Sequence, residues 1–242
     1  MEKIVIGIIS FGVFIISGTL HEFAHGYAAK RCGDTTAQDA GRLTLNPLRH
    51  IDILGTIVLP LVAIFSHLPV IGWMKPVPIN PYYFRKRERD QVIVSVAGPA
   101  ANLILIVSAF IVLKLLTIPT SYPGVSWLSA LIATIPNESL ARSLLYLNVA
   151  VISVTFFFYL VNIILMVFNL FPFPPLDGGW VLRAVLPYKG KEIFDRVYPM
   201  GTFILWGLMI VGVIGFIFNP IISLGIHLLG NSTSMLPSLL FR

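Results

Sequence analysis

Apolar and charged residues separate along this chain into long blocks. Ile4 to Leu20 is apolar or small throughout and carries no charge, which predicts a first helix over about 4–30, stopped by Gly33-Asp34. On that helix Ser17, Gly18, His21, Glu22, His25 and Ala29 share one face, a small and polar stripe that lets another membrane helix approach. Residues 51–65 form a second apolar run, interrupted by Pro60 and short for a full span. It leads into Gly72-Trp73-Met74-Lys75-Pro76-Val77-Pro78-Ile79, too proline-rich for a helix interior. Gly41-Arg42-Leu43-Thr44-Leu45 alternates with period two and predicts a short strand, so residues 37–84 read as an embedded strand or re-entrant region.

Residues 91–116 predict a membrane helix holding Gly98-Pro99 and Asn102, with a kink because Pro99 leaves the Ser95 carbonyl without its helical donor. Residues 117–142 read as a polar loop with a short, Trp-containing interfacial segment. A further span over 144–171 ends in Pro172-Phe173-Pro174-Pro175-Leu176-Asp177-Gly178-Gly179, a run that cannot stay helical. A C-terminal helix is expected over 200–229, with 220–229 at the interface or continuing the span.

Composition turns this pattern into a class. The chain has 242 residues, of which 56% are hydrophobic and 12% charged, with a mean hydropathy of +0.86. Soluble domains carry about 25% charged residues, so the expectation is an all-α polytopic membrane protein forming one domain over 1–242. About four to six transmembrane helices are expected, with a small membrane-embedded β element or re-entrant hairpin. The first block reads as retained, because a signal-peptide cut would fall at or near residues 21–25 and no small-x-small site precedes them.

The formal net charge is +6. Its carriers cluster at Lys30, Arg31, Arg42 and Arg49, at Arg85, Lys86, Arg87 and Arg89, and at Arg183, Lys189, Lys191 and Arg196. Basic loops mark the cytoplasmic side, so the N-terminus is expected outside and the ends of the first and fourth spans inside. The location implied is the plasma membrane, and the partner is the lipid bilayer. Nucleic-acid binding is excluded for want of a folded basic domain. A single cysteine, Cys32, rules out an internal disulfide and reads as an inert thiol.

Chemistry concentrates at His21-Glu22-Phe23-Ala24-His25. One helical turn apart, His21 and His25 can reach one metal ion, and Glu22 beside them can take a proton from a water that the metal activates. Such groups are expensive at membrane depth and point to function. A catalytic zinc site takes three protein ligands, so a third must come from elsewhere. His50, His67 and His227 read as interface residues. Asp177 is the acidic residue that follows a span on backbone forced out of helix, and such backbone is tolerated at membrane depth only where protein or a wet cavity covers it. The glycines after it let the backbone turn tightly and approach a neighbour.

The sequence here resembles the site-2 protease family of intramembrane zinc metalloproteases. The pentad, Gly98-Pro99-Ala100-Ala101-Asn102 and Asn169-Leu170-Phe171-Pro172-Phe173-Pro174-Pro175-Leu176-Asp177-Gly178-Gly179 carry the resemblance, in the family's order and over residues 1 to about 185. It implies one zinc per chain held by His21, His25 and Asp177, with Glu22 as general base. It further implies that Asn102 and Asn169 orient substrate or stabilise an oxyanion, and that a transmembrane substrate is held unwound by strand addition. Residues 42–46 and 73–79 are the candidates for that pairing. The resemblance is to a minimal prokaryotic-type member, without PDZ or CBS domains. Two rivals remain at this point, a metal or ion transporter using the same ligands and a non-cleaving pseudoprotease.

Overall fold

In a computed structural model of the chain, residues 2–66, 72–118 and 126–230 are described, with the side chains of 2–5 and 63–66 left aside. Helix α1 (Glu2–Cys32) runs through the whole first block and ends where Gly33 takes a positive φ of 111°. A one-turn helix α2 (Thr36–Asp39) follows. Asn46 and Asn80 each precede a proline and accept an amide two residues on, from Leu48 and Tyr82, starting two short 3-10 turns. Asp52 accepts from Gly55 in the same manner and starts a π turn over Ile53–Val58, which passes into α3 (Leu59–Ser66).

Helix α4 (Arg87–Leu116) carries Pro99 inside it. After it come α5 (Trp127–Ala133), opened by the Ser126 hydroxyl accepting from Ser129, and α6 (Glu138–Leu170). The chain then runs without helix through 171–176 to α7 (Asp177–Val185), α8 (Tyr188–Val197), α9 (Gly201–Ile210) and α10 (Val213–Leu229).

Among the described residues, three helices are long and apolar enough to cross a bilayer: the Ile6–Cys32 stretch of α1, α4 and α6. The shortest, 27 residues, is about 40 Å long at 1.5 Å per residue, more than the hydrocarbon core needs. A fourth span results if the bent pair Tyr188–Ile210 and Val213–Leu229 counts as one; its two parts meet at 71°. The single C-terminal helix expected over 200–229 is therefore broken. Gly212, with φ 85°, sits in the left-handed region that stops α9 from continuing into α10. The second apolar run forms only the π turn and α3, too short to cross.

No strand forms among the described residues. The element expected at Gly41–Leu45 is instead a series of bends, because the Arg42 and Leu43 amides both turn back to the Ala37 carbonyl. His50, expected at the interface, is fully buried and donates its Nε2–H to Thr44 O at 2.8 Å. His227 is exposed, and His67 lies outside the described residues.

The chain divides into two compact units. One comprises Met1–Phe14, Ile104–Ile164 and Ile217–Arg242; within it Tyr159 donates its hydroxyl to Gly225 O at 2.9 Å and Lys114 donates to Leu229 O at 2.6 Å. The other comprises Ile15–Leu103 and Leu165–Phe216 and holds every chemically distinctive residue named above except the exposed His227 and the undescribed His67. In this second unit the non-helical run folds under the start of α7. A Cβ on Gly178 would collide with the Leu170 carbonyl and lie 2.6 Å from Phe171 O, and one on Gly179 would lie 2.9 Å from Phe173 O. Arg183 then forks onto both Asp195 oxygens at 2.7 Å, tying α7 to α8.

Gly178→Ala is expected to cost about 1–3 kcal/mol through backbone overlap. Gly207→Ala, with nothing within 4 Å of the added carbon, should leave stability unchanged or slightly raised. Thermal unfolding in detergent distinguishes the two.

Candidate metal centre

Three elements of one compact unit meet at one point. The 3.6-residue period of α1 puts His21 and His25 one above the other, with ring centroids 4.6 Å apart and planes at 82°. Their Nε2 atoms lie 3.0 Å from each other, and Asp177 Oδ2 lies 3.3 Å from His21 Nε2 and 3.2 Å from His25 Nε2. These separations match the edges of a tetrahedral zinc site, about 3.3 Å for ligand distances near 2.0–2.1 Å. Asp177 is the first residue of α7, so the backbone leaves its irregular run at the ligand itself.

The outer nitrogens settle which atoms face inward. His25 Nδ1 lies 2.7 Å from Val94 O, which can only accept, so Nδ1 carries the proton. His21 Nδ1 donates likewise to Asn102 Oδ1 at 2.6 Å. Both Nε2 atoms therefore present lone pairs, toward each other and toward a carboxylate oxygen that is buried and accepts no hydrogen bond. Each histidine is 6% exposed. Three lone-pair donors this close in a dry site repel one another unless a cation lies between them, and two imidazoles with one carboxylate are a donor set zinc takes.

The facing stripe on α4 is Val94, Gly98 and Asn102, four residues apart. Its middle member has to be glycine. A Cβ there would lie 2.6 Å from His21 Nε2 and closer still to His25 Nε2, filling the space between the ligand atoms. From the sequence, Gly98-Pro99 reads as a kink and as the start of the motif that ends at Asn102, but not as clearance for the histidine rings. Its spacing to Asn102, one turn on, is the signal that was available; the Val94 carbonyl gave none, since any residue type supplies one.

Glu22 is half-buried and accepts the Val77 amide on Oε2 at 2.8 Å. Asn102 is fully buried and bonded to His21, behind the ligand atoms. Asn169 turns its amide back to Leu165 O at 2.9 Å, one turn up its own helix, and among the described residues no hydrogen bond joins it to the cluster.

Comparison with known proteins agrees with this chemistry. A sequence model of peptidase family M50 matches residues 9–212. The chain is 36% identical over 214 residues to YwhC of Bacillus subtilis, named as a candidate zinc metalloprotease, covering 82% of this chain and 84% of that one. It is 29% identical over 211 residues to Rip2 of Mycolicibacterium smegmatis, named in the same way, covering 84% of this chain and 67% of that one. The Mycobacterium tuberculosis Rip2 is 27% identical over 198 residues, covering 82% and 64%. No solved structure matches.

Gly98→Ala is expected to abolish zinc retention through purification. Asn102→Ala, which frees the His21 ring, should weaken zinc about 10- to 100-fold. Metal content and competition with a chromophoric chelator measure both.

Proposed function

We propose, for a chain that belongs to peptidase family M50 and is a membrane zinc metalloprotease, that it cleaves peptide bonds in or beside the transmembrane segments of other membrane proteins. The observation that carries this reading is the convergence of His21, His25 and Asp177 within an apolar helical unit, with Glu22 next to the first ligand in sequence. One zinc per chain would be held by those three side chains. When bound, the metal supplies Lewis-acid activation of water and of a peptide carbonyl.

The rest is performed by the chain's own residues. Glu22 takes a proton from the attacking water and returns it to the leaving amine. Asn102 and the Val94 carbonyl keep the imidazole protons on Nδ1, so that the Nε2 lone pairs stay available. α1 carries His21 and His25 inside the apolar stretch Ile6–Cys32, whose last turn holds the basic residues Lys30 and Arg31. That depth supports cleavage at the membrane. A carbonyl in a helix is bonded and shielded, so the substrate segment must unwind before attack.

Lys30 and Arg31 end α1, and Arg85, Lys86, Arg87 and Arg89 surround the start of α4. With basic residues held on the cytoplasmic side, the N-terminus lies outside and the active site opens toward the cytoplasmic face of the plasma membrane.

Purified Glu22→Gln, offered a panel of single-span membrane peptides, should lose roughly 10²- to 10⁴-fold in kcat and keep its zinc. Undiminished cleavage would overturn the reading. Zinc flux into vesicles without cleavage by the wild type would favour a transporter instead.

A further inference from the structure

The segment from Trp73 to Asn80 has no helix and no strand, yet its backbone is tightly held by this protein alone, at alternate residues from 73 to 77 and also at the Pro76 carbonyl, which accepts from the Arg42 guanidinium at 3.3 Å. Trp73 donates its N–H to Gly55 O at 3.3 Å, and its carbonyl accepts the Thr56 hydroxyl at 2.7 Å. Lys75 donates to His50 O at 2.8 Å, and its carbonyl accepts from the Arg42 guanidinium at 2.9 Å. Val77 donates to Glu22 Oε2, and the Asn80 amide ends the series on Asp34 Oδ2 at 2.7 Å. The supports are closely packed: His50, Thr56 and Asp34 are fully buried, and a Cβ on Gly18 of α1 would lie 2.5 Å from Met74 Cγ.

Bonding at residues 73, 75 and 77 is the alternation of an extended chain, in which every second residue turns its N–H and C=O to the same edge. One edge is thus consumed internally. On the other stand Pro76 and Pro78, which have no N–H. Between them Val77 supplies the one amide of the Pro-Val-Pro run, and that amide goes to Glu22.

We propose that Pro76-Val77-Pro78 is a positioning element that holds Glu22 in place, the Val77 N–H fixing one carboxylate oxygen and leaving the other to face the water. Here Val77 is a positioning residue, acting through Glu22, and the proposal rests on the reading of Glu22 as general base. It also changes the part expected of residues 73–79. Their donor-bearing edge is occupied by the protein itself, so a substrate cannot pair there in a full ladder. The two prolines offer no N–H on the opposite edge, so Val77 is the one donor of the Pro-Val-Pro run.

Hydrogen–deuterium exchange on the peptide covering 73–80 reads the bond without any turnover, and the prolines leave few amides to resolve. In zinc-free protein, Glu22→Ala should speed exchange at Val77 about tenfold or more, whereas Glu22→Gln, which keeps an acceptor oxygen, should preserve protection. In the zinc-loaded enzyme, Val77→Pro should lower kcat about tenfold with KM and zinc content little changed, while Val77→Ala, which keeps the N–H, retains kcat within roughly threefold. Unchanged exchange in Glu22→Ala, or wild-type kcat in Val77→Pro, overturns the proposal. If Val77→Pro does not fold, the exchange comparison decides alone. Cleavage by Glu22→Gln would refute the general-base reading separately, whatever the exchange shows.

Discussion

Two imidazole lone pairs and a carboxylate oxygen, buried within 3.3 Å of one another, form an arrangement that neutral protein cannot hold together by itself. His21, His25 and Asp177 would hold a cation at their centre, and binding it would turn mutual repulsion into coordination and add to folding free energy. Much of the surrounding unit serves to make that convergence possible. The outer ring nitrogens are bonded to Asn102 and Val94, which removes the alternative tautomers. Gly98 keeps the facing helix free of a side chain where one would block the centre.

Asp177, the third member of the cluster, is delivered by a local device of another kind. Proline-rich backbone cannot continue α6, and Gly178 and Gly179 let α7 begin directly beneath the carbonyls of residues 170–173. The reversal is tight because both contacts are backbone against backbone, where any side chain would intrude. The same absence of a Cβ at Gly18 lets Met74 lie against α1, bringing the segment that reaches Glu22 into place. Close approach at each of these points depends on residues chosen for what they lack.

The long helices were legible because each rests on an uninterrupted apolar block, and the lipid-facing requirement leaves little else such a block can do. The irregular segments were not. Period-two alternation at Gly41–Leu45 resembles a strand, but the Ala37 carbonyl captures the two amides that a strand partner would have used. His50 resembled an interfacial residue by its neighbours, while its burial depends on Thr44 and on a segment more than twenty residues away in sequence. The break at Gly212 went unread because apolar residues flank it evenly on both sides, and only its positive φ distinguishes it.

For the candidate centre, the spacing of His21 and His25 already brought the two rings together, because a helix places residues four apart on one face whatever the surroundings. The backbone-breaking run marked Asp177 as the remaining candidate for a similar reason: proline and glycine act locally, and Asp177 does join the two histidines. Tertiary structure decided what local spacing cannot encode. It set the tautomers through bonds from α4, the clearance that Gly98 provides and the amide that Glu22 accepts, since each joins atoms far apart in sequence. The last of these is a backbone N–H, a group that every residue but proline carries and no motif records.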